Sequence, residues 1–241
     1  MSTTSSSSPF HIPLDPDQTA LLLADVQDEI LARFPPAQRA AYLERIHSLL
    51  TLFRARIAAA RQKEKEEQDE EHASSAYARG SAKVPLIIHH VLRYGINANA
   101  FVSPYNSPRG NTDPTHPVYS IPAELVPPGE WGSSVSSSSS SPASAYCDEI
   151  LLPKIQTSSF GSSDLLAYLR ARNIRHVVLV GLTVSGAILG SARAGADLDF
   201  HTVVPREAVM DDEEDVERFV LERLLPKFVD VVAVGEVVAL L

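Results

Sequence analysis

A single cysteine occurs among the 241 residues of this chain. One thiol cannot close an internal disulfide or furnish a cysteine-rich zinc site, and it leaves thiol chemistry one candidate, Cys147. Basic charge is also short: 21 Lys and Arg stand against 30 Asp and Glu, a formal net charge of −9. No global positive field is available to hold a polyanion, so nucleic acid is not an expected partner. No apolar run approaches the roughly 18 residues that a membrane span needs. The amino terminus, MSTTSSSSPFHIPLDPD, lacks the basic and apolar regions of a secretory signal. Residues 1–17 therefore read as a disordered leader, and a cytoplasmic protein with no membrane partner is expected. No internal repeat is present.

What the chain has instead is a series of strand-length apolar runs. They are TALLLADV from Thr19, VPLIIHHV from Val84, HVVLVGL from His176 and VDVVAVG from Val229, with shorter candidates EILLP near Glu149 and HTVVP near His201. Continuous rather than alternating apolarity implies strands covered on both faces. Amphipathic segments separate them. AYLERIHSLLTLFRARIAAARQ places Leu43, Ile46, Leu49, Leu50, Phe53 and Ile57 at helical spacing, with Pro35 and Pro36 at its start. DLLAYLRARN, SGAILGSARAGAD and EDVERFVLERLL predict three further helices. Alternating strands and helices define an α/β fold: a three-layer, doubly wound, mostly parallel six-stranded sheet with helices on both faces. A charged extension at about 62–82 and a Pro/Ser-rich insert at about 97–146, with a serine run at Ser136–Ser141, stand outside that core.

In such a sheet ligands bind beyond the carboxyl ends of the strands. Asp25 sits at the tip of the first apolar run, where desolvation raises a carboxyl pKa and calls for a partner, so it is a candidate general acid or base. Lys154 closes EILLP at another strand end and could supply the positive charge. The small residues Gly181, Gly186, Ala187 and Gly190 of GLTVSGAILGSA allow close backbone approach to an anion or, equally, close helix packing. Ser185 in the same turn is expected to cap backbone, because no histidine is placed to activate it. His89 and His90 are adjacent and so face opposite sides of a strand, which prevents one metal site from using both. The acidic run from Asp211 is expected only to charge a helix amino terminus.

Three segments together resemble the isochorismatase-like superfamily of cofactor-free hydrolases. LLLADVQ is similar to the family's strand ending in Asp, any residue, Gln. LLPKIQTSSFGSSDLLAYLRARNI followed by HVVLVGL is similar to its Lys and Ser/Ala-Phe segment. GLTVSGAILGSARAGADLDFHTVVPREAV is similar to its strand, elbow and helix. The resemblance covers Thr19 to Gln27 and roughly Ile150 to Val237, and implies one such domain over 18–241. It implies Asp25 and Lys154 as catalytic residues, and Gln27, Arg93, Phe160, Thr183, Ser185, Gly186 and Ala187 as substrate contacts. Neither a cofactor nor a metal is implied.

The family's cysteine hydrolases use an Asp, a Lys and a nucleophilic Cys. The third position falls on Ala187, which closes the covalent route, while Cys147 matches no motif. Isochorismatases of the family need no nucleophile, since they cleave an enol ether by protonating it. By that resemblance Asp25 protonates a vinyl carbon of a small carboxylated substrate, and Lys154 holds a substrate carboxylate or Asp25 itself. Arg93, with Gly95, resembles an arginine segment of cysteine-lacking relatives suited to bidentate carboxylate binding. Two alternatives stand beside this: a catalytically silent member that binds a metabolite or protein, and an amide hydrolase with another nucleophile. A homo-oligomer is also an expectation of the resemblance.

Overall fold

The structure is a computed structural model that describes residues 11–70, 84–92, 120–127, 148–161, 163–239 and 241. Four of the apolar runs fold as adjacent parallel strands: β1 (Thr19–Ala24), β2 (Leu86–Leu92), β3 (Glu149–Lys154) and β4 (His176–Leu182). They are joined by β5 (His201–Pro205), the two-residue β6 (Val209–Met210) and β7 (Asp230–Val232). The order is β3-β2-β1-β4-β5-β7, with β6 paired to β4, and every pairing is parallel. The sheet thus has seven strands where the apolar runs predict six. The extra strand is two residues long, too short for a hydrophobic run to announce it.

Helices cover both faces, as continuous apolarity requires. On one face α1 (Asp28–Leu31), α2 (Pro36–Glu70) and α6 (Val234–Val238) pack Ile30, Leu31, Tyr42, Ile46, Leu49, Leu50, Phe53 and Val237 over Leu21, Leu23, Ile87 and Val178. On the other, α3 (Leu165–Ala171), α4 (Leu189–Asp197) and α5 (Glu214–Phe219) pack Leu165, Leu169, Ala192 and neighbours over Ala20, Leu22, Ile88 and Val177. Helix α2 begins at Pro36, as the proline signal predicts, and carries on to Glu70. The first residues of the expected charged extension are therefore helix.

The fold also begins earlier than residue 18. Leu14 is buried, the Asp15 carboxylate accepts the Asp17 amide, and the His11 amide donates to Asp230. Of residues 11–17 only Leu14 is buried, and the remainder of the expected leader lies outside the described residues, as do the Ser136–Ser141 run and most of the insert. Among the described residues no helix is long and apolar enough to cross a membrane.

At the edge strand β3, two acidic residues tie both helical layers to the sheet. Asp148 accepts two hydrogen bonds from Arg61 of α2 and one from Arg172 beside α3. Glu149 accepts a bidentate pair from Arg54 and lies 2.7 Å from Nε2 of His89. Burial pushes the Glu149 carboxyl up, but these hydrogen bonds outweigh it and hold the group below its ordinary range.

The chain reverses direction of strand addition between β1 and β4, so a crevice opens at their carboxyl ends. Gly181 makes the close approach there: it lies opposite Ala24 at φ 131, and a Cβ on it would stand 2.0 Å from the Ala24 carbonyl oxygen. Gly181→Ala is expected to cost several kcal/mol, on the order of 3–5, from backbone strain and overpacking together. Urea denaturation measures this, and a loss below about 1 kcal/mol would contradict the close packing.

Candidate active site

Asp25 is the first residue past β1, and its φ of 58 breaks the extended alternation. The turn directs its carboxylate to Lys154, which alternates with Ile150 and Leu152 on the face covered by α3 and α4. Oδ2 of Asp25 is 2.9 Å from the Lys154 ammonium, and the two side chains are 7 % and 0 % exposed. Lys154 also donates to the Thr157 carbonyl, so the loop after β3 folds back over the ammonium. The Asp25 amide donates to the His90 carbonyl at 2.8 Å, continuing the β1–β2 ladder one step.

Two opposed effects act on the Asp25 carboxyl. Burial raises its pKa, while the charge and hydrogen bond of Lys154 lower it, with Leu92 backbone and the Arg33 charge adding smaller reductions. Burial prevails, and the value stands at about 6 instead of 3.8. Oδ1 of Asp25 is buried and has no hydrogen-bonding partner in the protein. The site therefore presents one carboxyl oxygen, close to half protonated near pH 6, that no protein donor occupies.

Gln27 forms the support beneath. Its Oε1 accepts the Leu92 amide at 2.7 Å and its Nε2 donates to the Leu92 carbonyl at 3.2 Å. This side-chain amide acts as one more rung beside β2 and fixes the end of that strand against the β1 turn. Expected as a substrate contact, Gln27 is wholly buried and bonded to backbone.

After β4 the chain turns through a π-helical segment, Val184–Ile188, with the Leu182–Thr183 peptide bond cis. Thr183 is half-buried and its carbonyl accepts the amides of Gly186 and Ile188. Ala187 is buried within the apolar layer beneath α4, and Gly186 beside it is buried too. The expected capping role of Ser185 is reversed: its amide and its hydroxyl both donate to Oδ2 of Asp211 at 2.7 Å. Asp211 is itself 5 % exposed; burial raises its carboxyl pKa, but hydrogen bonds from Ser185, Asp212 and the Glu213 amide outweigh it and keep the group below the ordinary range. The first residue of the acidic run is thus an internal anion for this turn and not merely surface charge. Glu214, Asp215 and Glu217 do lie in the first turn of α5, as expected.

Phe160 stacks on Phe200 at 5.7 Å and packs against Gly195, near the end of α4 and the start of β5. Its ring packs within the layer under α4. Arg93, Gly95 and Cys147 lie outside the described residues. The two adjacent histidines separate as alternation requires: His89 meets Glu149 on the α2 face, and His90 shares the face of Lys154. The sequence signal for His90 is one of two adjacent polar rings inside an otherwise apolar strand. Among the described residues no group of three or more His, Cys, Asp or Glu side chains is arranged to hold a metal ion.

Known proteins bear on this arrangement in three ways. Residues 106–236 match the isochorismatase domain, and the chain belongs to that family. Its fold is similar to that of an isochorismatase family protein from Burkholderia thailandensis, at 22 % identity, with 95 % of this chain and 97 % of the other covered and a TM-score of 0.66. A cysteine hydrolase from Pseudomonas syringae pv. phaseolicola is similar at 16 % identity over 98 % and 97 % of the two chains, with a TM-score of 0.62. By sequence the chain is 34 % identical over 98 residues to a maleamate amidohydrolase of Pseudomonas putida. That stretch is 38 % of this chain and 46 % of the relative, so the chain matches less than half of the relative's length.

Because Lys154 holds the Asp25 pKa down, Lys154→Met is expected to raise it above 6. Carbon-13 NMR of the Asp25 carboxyl in both proteins checks this, and a midpoint that falls or stays fixed would refute the balance described.

Proposed function

We infer that the chain is a cofactor-free hydrolase of a small carboxylated enol ether, of the isochorismate type, with Asp25 as general acid. The observation that carries this reading is the buried Asp25 carboxyl, raised to about 6 and ending in an oxygen without a protein partner. A carboxyl of that pKa keeps about a tenth of its protons at pH 7, enough to supply an acid without a nucleophile. Asp25 gives its proton to the terminal vinyl carbon, and the ether oxygen stabilises the cation that forms. Water adds to the cationic carbon and returns a proton to Asp25, and the hemiketal collapses to an alcohol and a keto acid. Protons balance over the cycle.

Of the two tasks the resemblance offers Lys154, the 2.9 Å contact favours holding Asp25. With further donation to Thr157, at most one of its three N–H groups is left for a substrate. A substrate carboxylate then needs a second cation. Arg33, exposed and within electrostatic reach of Asp25, fits that role, and Arg93 is the candidate offered by the motif resemblance.

Similarity to a maleamate amidohydrolase favours a second reading, hydrolysis of a small amide acid. Alanine at 187 counts against it, because a covalent route through that position has no nucleophile. The two are separated by assaying isochorismate and maleamate with wild type, Asp25→Asn and Ala187→Cys. Turnover of isochorismate should fall at least 100-fold in Asp25→Asn and change less than threefold in Ala187→Cys. Wild-type kcat should decline as pH rises through about 6, since the protonated acid is the working form. Activity that survives Asp25→Asn, or cleavage of maleamate alone, refutes the enol-ether reading.

A further inference from the structure

His90 is fully buried in β2, and neither ring nitrogen has a hydrogen-bonding partner in the protein. Its position in the sheet is next to the acid. It pairs with Ala24 on one side and Leu152 on the other, its carbonyl accepts the Asp25 amide, and its side chain shares the face of Lys154. Buried polar atoms without protein partners are ordinarily met by water or ligand, because leaving them bare is costly. Two such residues, His90 and Asp25 through Oδ1, lie on adjacent strands, and each is within electrostatic reach of Lys154. His89 is the internal contrast: one residue earlier, with the same side chain, it is bonded to Glu149.

The charge state of the ring narrows what it can contact. Burial, and then the nearby Lys154 charge, lower the His90 pKa to about 3, so the ring is neutral. A neutral imidazole offers one donor and one acceptor and no charge. A hydroxyl can meet either nitrogen, donating to the bare one or accepting from the protonated one, whereas a carboxylate can meet only the protonated one.

We propose that His90 is a substrate-contacting residue of the Asp25 site whose ring recognises a hydroxyl group on the small acid bound there. The proposal rests on the reading of Asp25 as the acid that faces the substrate. It adds a specificity: a hydroxy acid is preferred over the same acid without the hydroxyl.

The probes are benzoate and the three hydroxybenzoate isomers, which are unreactive small acids differing in one hydroxyl. Calorimetry on the full chain should show at least one isomer binding about fivefold or more tightly than benzoate. His90→Leu should abolish that preference, and His90→Gln, which keeps a donor and an acceptor, should restore part of it. Independently of any variant's folding, nitrogen-15 NMR of histidine-labelled wild type should show the His90 ring resonances moving with that isomer and not with benzoate. Equal binding of all four acids, no binding, unmoved His90 resonances, or a preference retained in His90→Leu would each overturn the proposal. Isochorismate turnover in wild type and Asp25→Asn tests the underlying reading separately. A hydroxyl preference with no turnover defeats that reading alone, and Asp25-dependent turnover with no hydroxyl preference defeats His90 alone.

Discussion

Burying a carboxylate and an ammonium together at the end of a parallel sheet is the constraint around which this site is built. Lys154 repays part of the cost of desolvating Asp25, but not all of it, and the remainder appears as a carboxyl pKa of about 6. The sign for stability follows. The folded chain binds the Asp25 proton more tightly than the unfolded chain does, so this group's contribution is most favourable at low pH. It is lost as pH rises from about 3.8 to about 6, by on the order of 2–3 kcal/mol. At neutral pH the fold carries an ionised group that it would hold more easily neutral. On the proposed reading, that same disadvantage makes the proton available for transfer.

Keeping the pair in place depends on the surrounding backbone. Gly181 lets β4 close on Ala24, the left-handed turn at Asp25 carries the carboxylate across to the Lys154 face, and Gln27 ties β2 to that turn. The contacts come from four adjacent strand ends, and none is close to another in sequence except Asp25 and Gln27. A packed scaffold with helices on both faces allows residues so far apart in the chain to meet without a mobile loop.

Much of this is legible in the sequence, and what is not has a physical cause. The runs at His176 and His201 fold as strands with the bounds they suggest, because both faces of each are covered and polar residues or turns end them. The run from Val229 breaks at Val232, since Val234–Val238 turns into a helix whose apolar composition does not distinguish it from a strand. Asp25 and Lys154 announce themselves as charges closing apolar runs. Which effect governs the Asp25 pKa is not readable, because it depends on depth of burial. The Ser185–Asp211 bonds join residues 26 apart, and Asp211 is the first acid in a run of five, so composition points to the helix end and only geometry singles out one member.

The Asp211 arrangement also decides how charge is apportioned around the crevice. The turn after β4 has the small residues of an anion seat, yet its Ser185 amide is already satisfied by the chain's own carboxylate. Lys154 is committed to Asp25 and to the Thr157 carbonyl. While Asp25 is ionised, the first of these turns holds a compensated ion pair and the second an internal carboxylate, so neither then carries net positive charge. On the proposed reading, attraction for an acid falls to the rim, where Arg33 is exposed, while the interior holds an uncharged ring and a carboxyl oxygen without a protein partner. On that reading, binding of charge outside and transfer of a proton inside fall to different residues. Such a division leaves the acid free to release its proton without also serving as the counterion of the substrate.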